Sequence, residues 1–98
     1  MSEVQGHHVE NFDACKNPGD FFFTPPNPAE AGARRLWFLC PCGCGDLCGV
    51  RVRDDGLNQD GSWGWNLSEE CPTVSPSIRI IGGCNWHGHL VAGVFRPC

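Results

Sequence analysis

The chain has 98 residues, enough for one small domain that removes only about 60–65% of its unfolded surface from water, so a staple by disulfide, metal or partner subunit is expected. Eleven Asp and Glu against seven Lys and Arg leave a formal charge of −4, which excludes the basic footprint of a general nucleic-acid binder. Eight Cys and four His can supply the staple, and thirteen Gly, eight Pro, four Trp and six Phe describe a turn-rich β domain with an aromatic core.

The opening "MSEVQGHHVENFDACKNPGD" has no basic stretch leading into an apolar one, and no run approaches the roughly eighteen apolar residues of a membrane span. Export and membrane association are therefore not expected, and the expected compartment is the cytoplasm. Residues 1–19 are polar and aperiodic and read as a flexible N-terminal arm, with the β domain over 20–98. The adjacent His7 and His8 on that arm read as composition rather than as a ligand pair. In a reducing cytosol clustered cysteines serve as metal ligands more often than as stable disulfides.

"FFFT" at Phe21 to Thr24 is an aromatic strand ended by Pro25 and Pro26, with one helical turn expected near Pro28 to Ala33. "RRLWFL", Arg34 to Leu39, is a second strand that runs into "CPCGCGDLCG". "GVRVR", Gly49 to Arg53, alternates apolar and basic residues as a half-buried strand does. The pairs Arg34/Arg35 and Arg51/Arg53 read as strand ends or salt-bridge partners rather than a phosphate track, so no nucleic-acid partner is expected. After a turn-rich loop, "WGWNL" alternates again and predicts Trp63, Trp65 and Leu67 on one core-facing side. "CPTVSPS" reads as extended and Pro-punctuated, "IRII" at Ile78 to Ile81 as a buried strand, and "HLVAGVF" as a hairpin turning at Ala92-Gly93. The sum is a mainly β fold, a small antiparallel sheet.

Zinc takes thiolate and imidazole in tetrahedral array, and its paired ligands are usually separated by two to four residues. Cys84-Asn85-Trp86-His87 has that spacing, while Cys40, Cys42, Cys44 and Cys48 form a denser and less regular half, and several sets of four are possible. The two halves end two candidate strands. Pairing of those strands would join two knuckles into a zinc-ribbon-like site, a structural staple rather than a catalytic centre.

The motifs "FFFTPPNPAEAGARRLWFLCPCGCG", "WGWN", "EECPTVSPSI" and "GGCNWHGHLVAGVFRPC", in that order, resemble a family of small phage and prophage proteins over about Phe21 to Cys98. Relatives of that family accompany bacterial ubiquitin-like conjugation genes. Many members carry the label ammonia monooxygenase, but this chain has no membrane span and no evident copper and oxygen site to support that activity.

The resemblance implies that Cys42, Cys44, Cys84 and His87 occupy recurring positions and that Cys40 is frequently shared, whereas Cys15, Cys48, Cys71 and His89 are peculiar to this sequence. Two metal assignments follow: Cys42, Cys44 and Cys84 completed by His87, or the same three completed by Cys40 with His87 released. Ser77 also stands at a family position. A released His87 could serve it as base with Glu70 as the orienting acceptor, the set that acyl transfer needs, with Ser75 as the alternative nucleophile. Such a hydrolase would act as a peptidase on a ubiquitin-like or other extended peptide tail. A zinc hydrolase with Glu70 as base is a further option, and Cys98 recurs without assignable chemistry. The competing class is a non-catalytic zinc-stabilised module that binds a host or phage protein. Either way the expected partner is a protein or peptide.

Overall fold

A computed structural model describes residues 3–25, 27–30, 33–53, 55–57, 61–80 and 85–97. Apolar residues at every second position of RRLWFL and LCGVRV bury Leu36, Phe38, Val50 and Val52 on one face, and these two segments form the antiparallel hairpin β4 (Arg34–Leu39) and β5 (Leu47–Val52). On the other side of β4 lies β3 (Asp20–Phe23), antiparallel, and beyond it the two-residue β2 (His7–His8), which pairs with β3 in parallel.

The second sheet carries β1 (Val4–Gln5), β9 (Val94–Pro97), β8 (His87–Val91), β7 (Val74–Arg79) and β6 (Gly64–Trp65) in that spatial order, with every pairing antiparallel. The inner faces of the two sheets share one core cluster in which Phe38 of the first sheet meets Phe95 of the second, ring centroids 5.0 Å apart. Trp86 packs edge-on against Phe95 from just before β8. The mainly β, largely antiparallel architecture is the one expected from the sequence, and a 3₁₀ turn stands at Pro28–Glu30.

Three local readings change. The segment expected to be a flexible arm contributes one short strand to each sheet, because Gly6 N–H donates to Gly93 O and the buried Asp20 carboxylate accepts from the backbone N–H of Lys16 and Asn17. Leu67 does not join Trp63 and Trp65: it is exposed at φ 63°, where Asn66 Oδ1 accepts from Ser68 and Thr73 and turns the chain. β7 spans Val74–Arg79, so the second half of the Pro-punctuated stretch, Val74 to Ser77, lies inside the strand, with a register shift between Val74 and Ile78, while Ile81 lies outside the described residues.

The β8–β9 turn places Ala92 at φ 49° and Gly93 at φ 79°, the two left-handed residues of a type I′ hairpin. Ala carries a Cβ penalty there that Asn largely escapes. Ala92→Asn should therefore stabilise the fold by about 0.5–1 kcal/mol in denaturant unfolding, and an unchanged or lower midpoint would contradict the turn assignment.

Candidate active site

Burial of Val74, Ile78, Leu90 and Phe95 turns the alternate residues of β7, β8 and β9 outward, so Ser75, Arg79, His87, His89 and Arg96 are exposed on the outer face and Ser77 is half-buried there. Arg79 pairs with His87 and Ile78 with Gly88, which sets Ser77 diagonal to His87 on that face. Diagonal neighbours in an antiparallel pair are about 7–8 Å apart at the backbone, within reach of an imidazole. Ser77 Oγ and His87 Nε2 lie 2.9 Å apart.

The main chain at Ser77 is held from the other side. Its carbonyl accepts the Trp63 indole N–H at 3.3 Å, while Trp63's own N–H donates to Arg51 O at 2.8 Å and its backbone bridges Val52 in parallel. Trp63 is thus partly core, as its alternation predicts, and also a tie between the nucleophile candidate and the first sheet.

Glu70 is not brought to this pair. Its carbonyl lies 3.6 Å from where a Cβ on Gly93 would stand, in the β8–β9 turn. That is the far end of β8 from His87, about 13 Å of strand away. The cause is local: Gly93 N–H donates to Pro72 O, Ala92 N–H to Thr73 Oγ1, and Asn66 holds Cys71 O and Thr73 N–H, so the loop before β7 is pinned to the hairpin turn. Among the described residues the His87 side chain has no hydrogen-bond partner besides Ser77, and the site they form is a pair rather than a triad. Ser75 lies on the same face, paired with Gly64 through the ladder, and its hydroxyl makes no hydrogen bond among the described residues.

The cysteines separate as cleanly. At the tip of the β4–β5 hairpin the Sγ atoms of Cys40, Cys42 and Cys44 lie within 4.8 Å of one another, Cys40 and Cys42 at 3.2 Å. Tetrahedral thiolates around an ion with bonds near 2.3 Å would stand about 3.8 Å apart, so this cluster fits three ligands of one metal. The turn that gathers them closes with Gly43 N–H to Cys40 O and Cys40 N–H to Asp46 O, and passes through Gly43 at φ 91° and Gly45 at φ 86°, which a side chain would strain. Cys48 lies down the strand opposite Phe38, outside the cluster. Cys15 is also apart from it, and burial followed by the nearby Asp20 charge pushes its thiol pKa up, which disfavours the thiolate. His7 faces Asp20, and His8 stacks on Phe21. No disulfide joins the described cysteines. Cys84 and Cys98 lie outside the described residues.

A family model described as bacterial ubiquitination-like system serine protease (BubE) matches residues 8–98. The chain belongs to that family. No curated protein and no solved structure matches it significantly. Among the described residues no helix is long and apolar enough to cross a membrane. A serine protease family directs attention to a serine beside a base, and Ser77 with His87 is the Ser–His contact among the described residues.

Trp63 and Arg79 carry weight that the sequence did not signal. Trp63 acts through a carbonyl fourteen residues away, and Arg79 matters by its register opposite His87.

If the hairpin tip holds a metal, protein purified without added metal should carry about one equivalent of a thiolate-preferring ion by elemental analysis, and Cys42→Ser should lose it while Cys48→Ser keeps it. Equal loss in both variants would count against the three-sulfur assignment.

Proposed function

We propose that the protein is a serine peptidase of a bacterial ubiquitination-like system, acting on a peptide or isopeptide bond at an extended tail, with Ser77 as nucleophile and His87 as general base. The observation that carries this reading is the 2.9 Å contact between Ser77 Oγ and His87 Nε2 in a chain of that protease family. In the tautomer that protonates Nδ1, His87 Nε2 accepts the Ser77 hydroxyl proton as Oγ bonds to the scissile carbonyl carbon. The same nitrogen then returns the proton to the departing amine as the C–N bond breaks. Water, deprotonated by His87, next attacks the acyl-enzyme, releasing the carboxylate product and restoring the Ser77 hydroxyl.

The metal is zinc on this reading, held by Cys40, Cys42 and Cys44, with Cys84 as fourth ligand from the connection between β7 and β8. A closed thiolate site of that kind stiffens the hairpin tip and supplies no open position for water. Of the two ligand sets open in the sequence, the one completed by Cys40 leaves His87 to Ser77. The chain then works in the reducing cytoplasm, where its thiols persist.

A fluorophosphonate probe should label the wild-type protein on Ser77. Ser77→Ala should abolish labelling, Ser75→Ala should retain it, and His87→Gln should slow both labelling and cleavage of a ubiquitin-like fusion by about a hundredfold or more. An unlabelled Ser77 in folded protein would leave the non-catalytic binding module as the better reading.

A further inference from the structure

β5 is the last strand of its sheet, and β6 covers only Val74 and Ser75 of β7. Trp63 stands where the two sheets join, bridged to Val52 on one side and bonded through its indole to Ser77 O on the other. Past Trp63 the edges of β5 and β7 part and enclose a cleft of about 270 Å³ lined by Phe38, Leu47, Val50, Trp63, Ile78 and Ile80, with Arg79 at its wall. The cleft thus begins at Ile78, the residue after Ser77, and at the Trp63 ring whose indole holds the Ser77 carbonyl.

Among the described residues, the backbone of Arg79 lining this cleft has no strand partner on the cleft side. Ile80 N–H donates to Trp86 O, on the β8 side, so the alternation of an antiparallel strand turns the N–H and C=O of Arg79 the other way, toward the cleft. No described strand pairs with β7 on that side beyond Ser75. Unpaired edge groups beside an apolar recess are what an added peptide strand uses: main-chain bonds give affinity and the recess selects a side chain.

Charge narrows the occupant. The chain is acidic overall, yet the outer face around Ser77 holds Arg79, His87, His89 and Arg96, with Glu3 paired to Arg96 at 3.0 Å. Arg79 forms no ion pair among the described residues. A guanidinium exposed on the outer face, carried by the residue whose backbone lines the cleft, favours a substrate segment that carries a carboxylate.

We infer that this cleft is the substrate channel: an extended, acidic peptide segment enters as a strand between β5 and β7, pairs with the backbone of Arg79 and seats one apolar side chain against the half-buried Leu47, Trp63 and Ile80. The inference rests on the reading of Ser77 as nucleophile, since it places the scissile bond at the Ser77 end of the cleft. Its test reads binding alone, so the two can fail separately.

The probe is the acetylated peptide Asp-Val-Asp-Val-Gly-Gly, titrated by NMR into the full chain carrying Ser77→Ala. The Arg79 amide should shift, and its exchange with solvent should slow by about tenfold or more as the peptide saturates. Leu47→Glu and, separately, Ile80→Glu should each weaken binding by about tenfold or more by placing a charge in the apolar recess. Absence of binding at millimolar peptide, shifts confined to another face, an Arg79 amide that stays unprotected, or full affinity in a folded Leu47→Glu or Ile80→Glu protein would overturn the inference. Failure of the nucleophile reading shows instead as a missing fluorophosphonate adduct in the wild type, and leaves this binding result standing.

Discussion

The site depends on the period of an extended strand. Ile78, Leu90 and Phe95 must face Phe38 to close the core, and that burial forces Ser77 and His87 onto the opposite face. A slip of one residue between β7 and β8 would bury the imidazole and expose Leu90. Several contacts pin that register. The left-handed pair at Ala92 and Gly93 sets the β8–β9 hairpin, and Pro72 and Thr73 grip its turn. Gly88 admits both the Arg96 carbonyl and the Trp86 ring where any Cβ would collide with them.

The two chemistries suggested by the Cys and His content are divided between the sheets. The three sulfurs gather at the tip of the β4–β5 hairpin, and Cys40 is buried there at the end of a strand whose other inward residues are Leu36 and Phe38. The imidazole that could have joined them is on the outer face of the other sheet, against a serine hydroxyl. Thiolate and imidazole are both good ligands for the same ions, so leaving the His87 ring to Ser77 requires this separation as much as it requires the contact itself.

The strands were legible because their signal is local. Period two in RRLWFL and GVRVR and the Ala92-Gly93 turn each declare themselves within a few residues, and so does the cysteine cluster with its glycines. The Ser77–His87 contact spans ten positions and followed from motif resemblance, not from spacing. Glu70 was misplaced because proximity in sequence to Ser77 says nothing about a loop that Asn66 folds back onto the β8–β9 turn. The arm hid its strands because two-residue pairings leave no period, and the Asp20 carboxylate that organises the turn before β3 binds backbone N–H groups, which any sequence supplies. Trp63 was readable as core but not as the tie to Ser77, since that role belongs to the meeting of two sheets.

A serine and a histidine on an open sheet face are a weak catalyst while water surrounds them, because the charge that develops on the imidazole is then screened and the ring is free to turn. Among the described residues nothing else orients His87. On the reading advanced above, the missing constraint comes from the substrate. A strand laid between β5 and β7 would cover Ser77 from the cleft side, displace water from the pair and strengthen the interactions made there, while the Trp63 indole keeps the Ser77 carbonyl from moving as the chain is seated. Catalytic power would then be tied to occupancy of the cleft, so small esters that cannot fill it should be poor substrates even where the serine reacts readily with a fluorophosphonate.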